Sequence, residues 1–489
     1  MKTLHNYISG TWMSSRGETF LDLVNPTTEK TIAQFPAGSA DDVNAAVVAA
    51  VGAQAVWSEV PVADRVAMIE SWADQIMEHA GEIAELQCQE MGKPVRLGRS
   101  FIEGGAAALK SGAAEALSYP FKQTVDLPNG SQTQILRRPV GVAGVVIPWN
   151  FPVAMTLSTL GPLLAAGNTV VVKPSERTPM ATARLFELLD EVKLPDGVVN
   201  LVLGDSRAGQ PLVSHPQVDL IHFTGSVATG QQVGAEAGRL LHRSVLELGG
   251  KDPVIVDADV DPVATAHAVA AGAFLNTGQI CTSMERIYVH TDVADRFIDA
   301  LVSAAETYTM GDGFHDSTVL GPLVSEQQRQ IIHRHVEDAL TRGATVRTGG
   351  EVPDQTGYFY PATVLTDVDE SMLVMTEETF GPIAPVVIVS SFEEALERAT
   401  DSTYGLAATV YSETPEHITE ASRLPAGVVW VNQWQGGGPE CIYEPARSSG
   451  MGATGSSASF DAATRPVSVH IAPAPKSPAT ETTAETAMQ

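Results

Sequence analysis

The chain is poor in the residues that several kinds of chemistry require. Its 489 residues hold three cysteines, Cys88, Cys281 and Cys441, an odd number set far apart with no Cys-x-x-Cys pair. A disulfide framework is thereby excluded, and with no His-Glu-x-x-His the sequence indicates no metal site. Cations are scarce as well: 30 Lys and Arg against 58 Asp and Glu leave a formal net charge of -28. Phosphate backbones need clustered cations, so no nucleic-acid partner is expected, and the acidic surface speaks for solubility. No run of about eighteen apolar residues occurs, and the start, Met1 to Asn6, lacks the basic then apolar pattern of a secretory signal. No membrane association is expected. A cytoplasmic location is, where Cys281 stays a free thiol. Also missing is Gly-x-Gly-x-x-Gly, so residue pattern alone gives little support for a dinucleotide.

What is present reads as an α/β protein. With 44% apolar and 18% charged residues the chain is globular and too long for one core, so two or three domains are expected. Val43, Val47, Ala50, Val51 and Ala55 fall at helical spacing and predict a helix over 39–60 with Ser39 as N-cap. A second amphipathic segment, 65–91, carries Met68, Ile69, Trp72, Ile76, Ile83 and Leu86. Asn129-Gly130, between the β-prone runs 123–127 and 132–136, predicts a tight hairpin. Between 139 and 256, apolar β-branched runs at 142–147, 170–172, 198–203, 220–223 and 254–256 alternate with helical stretches, the pattern of βαβ units in a parallel sheet. Residues 255–388 repeat the theme with helices at 262–275, 293–308 and 326–343 and a strand at 382–389, a second α/β domain. The end of the chain, rich in Pro, Ala, Thr and Glu, is expected to be disordered over 474–489.

Cys281 lies in Phe274-Leu-Asn-Thr-Gly-Gln-Ile-Cys-Thr-Ser283, a small polar setting suited to a nucleophile. A thiolate attacks electrophilic carbon well and later leaves easily from a thioester. In isolation such a cysteine is more often a small buried apolar residue. Two further motifs accompany it in order: Pro148-Trp149-Asn150-Phe151-Pro152 and Glu247-Leu248-Gly249-Gly250-Lys251. Together they resemble the aldehyde dehydrogenase superfamily, and the resemblance runs from about Asn6 to about Ile471.

That resemblance implies a Rossmann-type domain from 1–119 and 140–249, a second α/β catalytic domain from 250–447, and a small β oligomerisation arm from 120–139 and 464–473. It implies NAD, an aldehyde substrate, and a homodimer or homotetramer. Cys281 becomes the nucleophile, Asn150 the oxyanion donor together with the Cys281 N–H, and Glu247 the base that activates water. Gly225 and Ser226 match the phosphate contact, and Lys173 and Glu176 the ribose contacts. A carboxylate near the 2′ position disfavours NADP. Glu378 and Phe380 match the nicotinamide-side contacts, and Ile147, Trp149, Ser175, Gly204, Leu248 and Gln328 complete the expected cofactor set. Phe151, Met155, Ser158, Leu275, Ile280, Thr282, Trp434 and Tyr443 are expected to line a mostly apolar entrance.

The chain also departs from the family. Glu444-Pro445 replaces a Gly pair, and Thr454 stands where many members have a second Glu linked to proton removal. Ser158 and Leu275 stand where betaine aldehyde enzymes often have Trp, which disfavours a quaternary ammonium substrate. A medium-sized neutral aldehyde is the expectation. A CoA-acylating enzyme usually lacks the general-base Glu, a non-catalytic scaffold need not keep Cys281, Asn150 and Glu247 together, and a cysteine hydrolase needs a His base that no motif supplies.

Overall fold

The computed structural model describes residues 2–438 and 440–474. The helix Ala40–Glu59 begins where its cap predicts: the Ser39 hydroxyl accepts from the Asp42 N–H, and Asp41 and Asp42 sit in the first turn, where helix N–H groups favour negative charge. The expected single segment 65–91 is instead two helices, Val62–Glu78 and Ala80–Met91. His79 breaks it, with φ -98 and ψ 11, and both its backbone N–H and its ring Nδ1 donate to Gln75 O, the ring at 2.9 Å, which closes the end of the first helix. Behind these helices Trp57 and Trp72 are fully buried. Their indole N–H groups donate to Leu164 O at 3.1 Å and Leu185 O at 2.9 Å, so burial leaves no polar atom stranded.

The first sheet has the order Gly450–Met451, Arg243–Glu247, Leu220–Thr224, Val142–Ile147, Thr169–Pro174, Val199–Leu201, Asn6–Ile8, Thr11–Met13. Its five central strands are parallel and its outer ones antiparallel. Chain order reverses between Val142–Ile147 and Leu220–Thr224, and ligands of open parallel sheets bind beyond the carboxyl ends at such a point.

The run at 254–256, expected with the first sheet, lies in the second. Asp252–Val256 pairs in parallel with Met284–His290 and Ala407–Tyr411. The chain leaves one sheet for the other through Gly249 and Gly250, which periodicity within either strand does not register. The second sheet runs Thr345–Thr348, Thr363–Thr366, Ile383–Val389, Met284–His290, Asp252–Val256, Ala407–Tyr411, Val428–Val431.

The hairpin forms as Lys122–Asp126 and Gln132–Pro139 around Gly130, whose φ of +77° suits glycine. Thr464–Ile471 adds antiparallel along the whole second strand. Among the described residues no helix is long and apolar enough to cross a membrane, and no group of three or more His, Cys, Asp or Glu could hold a metal ion. The disorder expected over 474–489 lies outside the described residues except at Ala474.

Candidate active site

Cys281 is carried by a turn that its neighbours force into shape. Asn276, Thr277 and Gly278 have φ of 52°, 59° and 68°, a region costly for side chains. The strain is held by specific bonds: Thr277 Oγ1 donates to Gly321 O at 3.0 Å, Asn276 Nδ2 to Gln279 O at 3.1 Å, and Val324 N to Gln279 Oε1 at 3.0 Å. A Cβ on Gly278 would stand 2.1 Å from Gly381 O, so only glycine fits. The half-buried Cys281 thiol is pushed up by burial and then by the carboxylates of Glu378, Asp252 and Glu247.

Asn150 is buried at the end of the segment that follows Val142–Ile147. Its Nδ2 donates to Gln279 O at 3.1 Å, which ties it to the cysteine turn. It does not cap the next helix, whose N-cap is Phe151. The buried Lys93 donates to Asn150 O at 2.7 Å and lies 3.8 Å from the centre of the Phe151 ring. Burial pushes its ammonium well down.

Glu247 ends the strand Arg243–Glu247, 9% exposed, and its Oε1 accepts from Thr454 Oγ1 at 3.2 Å. Burial raises its carboxyl to about 8, with Thr454 opposing and Glu444 adding to the rise. A carboxylate of that pKa is suited to accept a proton near neutrality. Cys281 and Glu247 line one cavity of about 580 Å³.

Beside them Glu378 reaches across from the second sheet, and its Oε1 accepts from Gly250 N at 3.1 Å. A Cβ on Gly249 would lie 2.2 Å from this carboxylate. Burial first, then Glu285, raises Glu378 to about 8. Glu285 is fully engaged: it accepts from Lys251 Nζ and Thr379 N at 2.7 Å and from Phe380 N at 2.8 Å. Phe380, at φ +50°, is thereby fixed with its ring edge-on to Trp149 at 5.3 Å. Gln328 Nε2 donates to Phe380 O at 3.1 Å.

The matching model of the aldehyde dehydrogenase family spans residues 12–469. The chain belongs to that family. It is 37% identical over 438 residues to chloroplastic betaine aldehyde dehydrogenase of Beta vulgaris, covering 87% of this chain and 88% of that one. Lactaldehyde dehydrogenase of Escherichia coli superposes with a TM-score of 0.93 at 33% identity, over 96% of this chain and 99% of the other. Betaine aldehyde dehydrogenase of Staphylococcus aureus, solved with NAD+, gives 0.92 at 31% identity over 96% and 95%. The aldehyde dehydrogenase family uses NAD, and this member is an NAD-dependent enzyme.

The residues present fit that cofactor. Ile147, Lys173, Gly204, Gly225, Ser226 and Leu248 all stand in or just beyond the carboxyl ends of the five parallel strands. Ser226 N-caps the helix Val227–Leu240, whose first turn has no acidic residue, so its free N–H groups suit a pyrophosphate. Lys173 Nζ donates to Gly204 O at 2.9 Å, and Ser175 Oγ lies 3.5 Å from Glu176 Oε2 at the same strand end.

Of the expected entrance residues, Met155, Ser158, Thr282 and Tyr443 line the cavity. Phe151, Leu275, Ile280 and Trp434 stand outside its lining. The Phe151 ring faces Lys93 and Phe101, Ile280 is buried, and the Trp434 indole donates to Thr282 O at 2.9 Å. Leu275 ends the helix Pro262–Phe274, its N–H bonded to Ala271 O. Trp430, Gln435 and Glu115 line the cavity without any signal in the sequence reading. Lys93 and Glu285, which hold Asn150 and Phe380, carried only one: a charged side chain beside apolar runs.

Proposed function

We propose that this enzyme oxidises a medium-sized neutral aldehyde to its acid in two stages on Cys281. The thiol sulfur bonds the carbonyl carbon, its proton leaves, and the oxygen gains the charge that the Asn150 amide and the Cys281 N–H receive. NAD, when bound, supplies the two-electron acceptor for the hydride that departs the same carbon. A thioester remains on Cys281. Glu247 then takes a proton from water as the water oxygen bonds the thioester carbon, and the C–S bond breaks to release the acid and return Cys281 as thiolate.

The observation that carries this reading is the placement of Cys281 and an underpartnered Glu247 on one cavity. Lys173 and Glu176 hold the adenine-side ribose of NAD, Gly225 and Ser226 its phosphate, Glu378 and Phe380 the nicotinamide side, and Ile147, Trp149, Ser175, Gly204, Leu248 and Gln328 complete the cofactor set. Glu176 favours NAD over NADP.

Mixing the protein with NAD and a panel of aldehydes while following NADH absorbance tests the proposal. Neutral aliphatic and aromatic aldehydes should give the highest kcat/KM. A second reading is a cationic aldehyde, favoured by the Glu115 carboxylate and the Trp430 and Tyr443 rings on the cavity. Preference for betaine aldehyde or an aminoaldehyde would select it. No NADH with any aldehyde would overturn both.

We place the protein in the cytoplasm and assign its assembly, a homodimer or homotetramer, to the three-stranded sheet. The outer strand Lys122–Asp126 is exposed along its whole length, a free pairing edge. Light scattering of a variant with Val125→Pro should show smaller particles.

A further inference from the structure

The cavity shared by Cys281 and Glu247 extends well beyond them. Its wall includes Leu220, His222 and Thr224, which alternate onto one face of a single strand, and it reaches Glu115 and Ser456. Thr224 lies opposite Glu247 in the neighbouring strand, and His222 lies opposite Val245. Thr224 and His222 are each 8% exposed, and Thr224 Oγ1 and His222 Nδ1 have no hydrogen-bond partner in the protein. Both residues line the open space, and buried polar atoms are rarely left unpaired, which marks this wall as a place for water. At the far end Ser456 Oγ donates to Glu115 Oε1 at 3.1 Å.

The hydrolytic step gives such a space a purpose. Each turnover leaves a proton on Glu247, whose carboxyl is held up to about 8 by burial and so keeps that proton near neutral pH. Its hydrogen-bond partner, the Thr454 hydroxyl, is not a titrating group and cannot hold that proton. Burial pushes the His222 imidazole down to about 4. The ring is therefore neutral in use and offers water one donor and one acceptor nitrogen. The other titratable groups on the cavity are Glu115, Cys281, Cys441 and Tyr443.

We propose that His222, with Thr224, holds a file of water that carries the proton from Glu247 along the inner face of this strand to Glu115 and solvent. His222 is thus a positioning residue for thioester hydrolysis. The proton starts on the attacking water, rests on Glu247 and passes between waters to Glu115 and bulk. No electrons change place, and no co-reactant is needed. The inference rests on the reading of Glu247 as general base.

The test compares full-length His222→Leu and His222→Gln with the unaltered enzyme, using NAD and an aldehyde that it oxidises. In His222→Leu the first burst of NADH should persist while steady-state turnover falls roughly tenfold, less than the ~10²-fold of a direct proton-transfer group. Because acylation precedes the affected step, kcat and KM should fall together with kcat/KM unchanged. The slow rate should climb with buffer concentration, since buffer replaces the lost route. Glutamine, which can hydrogen-bond water, should restore most of the rate. If leucine prevents folding, His222→Phe gives the same reading. Unchanged steady-state rates in both variants would overturn the proposal, as would a loss of the burst or a fall in kcat/KM. Failure of the dehydrogenase reading itself would show separately, as no NADH from the unaltered enzyme.

Discussion

Of two buried carboxylates, Glu247 lies just before Gly249-Gly250 and Glu285 binds Lys251 just after them, and they are kept in opposite ways. Glu285 has its oxygens filled by the Lys251 ammonium and by the N–H groups of Thr379 and Phe380. Glu247 has one hydroxyl, from Thr454, and an open cavity. Both are buried, so burial alone does not separate structure from chemistry. Partnership does. A satisfied carboxylate fixes the backbone that presents Phe380, whereas an unsatisfied one has its pKa moved to where it can exchange a proton with water.

The largest effects should come from breaking the reactive side. Cys281→Ser should reduce turnover by at least about 10³-fold and remove the NADH burst as well, because no thioester forms. Glu247→Gln should lower steady-state turnover by roughly 10²-fold or more while the burst persists. Rapid mixing at NADH wavelengths checks both. A Glu247→Gln enzyme with no burst would mean that this carboxylate acts before the thioester.

Breaking the locked side should instead cost stability. Lys251→Met strands the Glu285 carboxylate at 2% exposure, and loss of one partner of a buried pair costs about 3–5 kcal/mol. The denaturant midpoint should fall accordingly and recover in part in Lys251→Met with Glu285→Gln. The same midpoint in both would show that the pair is not coupled.

The comparison sharpens with pH. Glu247 is raised to about 8, and only its deprotonated form accepts a proton. Steady-state hydrolysis should therefore rise with pH, about tenfold per unit well below pH 8, and level above it. The burst amplitude should not follow this curve. A steady-state rate flat across that range would place proton acceptance elsewhere.

Much of this was legible in local pattern. The Ser39 cap, the Asn129-Gly130 hairpin and four of the five parallel strands of the first sheet each depend on a few neighbouring residues. The break at His79 and the departure of Asp252–Val256 into the second sheet do not. Both are decided by which surfaces the elements meet. The same division runs through the site. The family motifs led to Cys281, Glu247, Asn150 and Glu378, but Lys93 binds a residue 57 positions away, and no spacing rule brings those two together. Trp434 and Trp430 illustrate the cost at the pocket. Four residues apart, both are plausible walls, and only the turn at Asn432 and Gln435, each with positive φ, decides that Trp430 lines the cavity while the Trp434 indole bonds Thr282 O.

The smallest expected effect concerns the thiols, and it tests whether the carboxylates around Cys281 restrain it at rest. Cys441 is exposed, Cys281 is half-buried, and Cys88 is buried. Burial and nearby Asp312 and Glu85 raise Cys88 to about 12, and burial with Glu378, Asp252 and Glu247 raises Cys281 also. The thiolate is the species that alkylating reagents meet. Without NAD and near neutral pH, a small alkylating reagent should label Cys441 first, Cys281 several-fold more slowly, and Cys88 last, as peptide mass mapping over time would show. Above about pH 8, where Glu247 is a carboxylate that opposes the Cys281 thiolate, Glu247→Gln should speed labelling of Cys281 and leave Cys441 unaffected. Faster labelling of Cys281 than of Cys441 in the unaltered protein would mean that the resting thiol is already activated, and that the three acidic neighbours do not govern it.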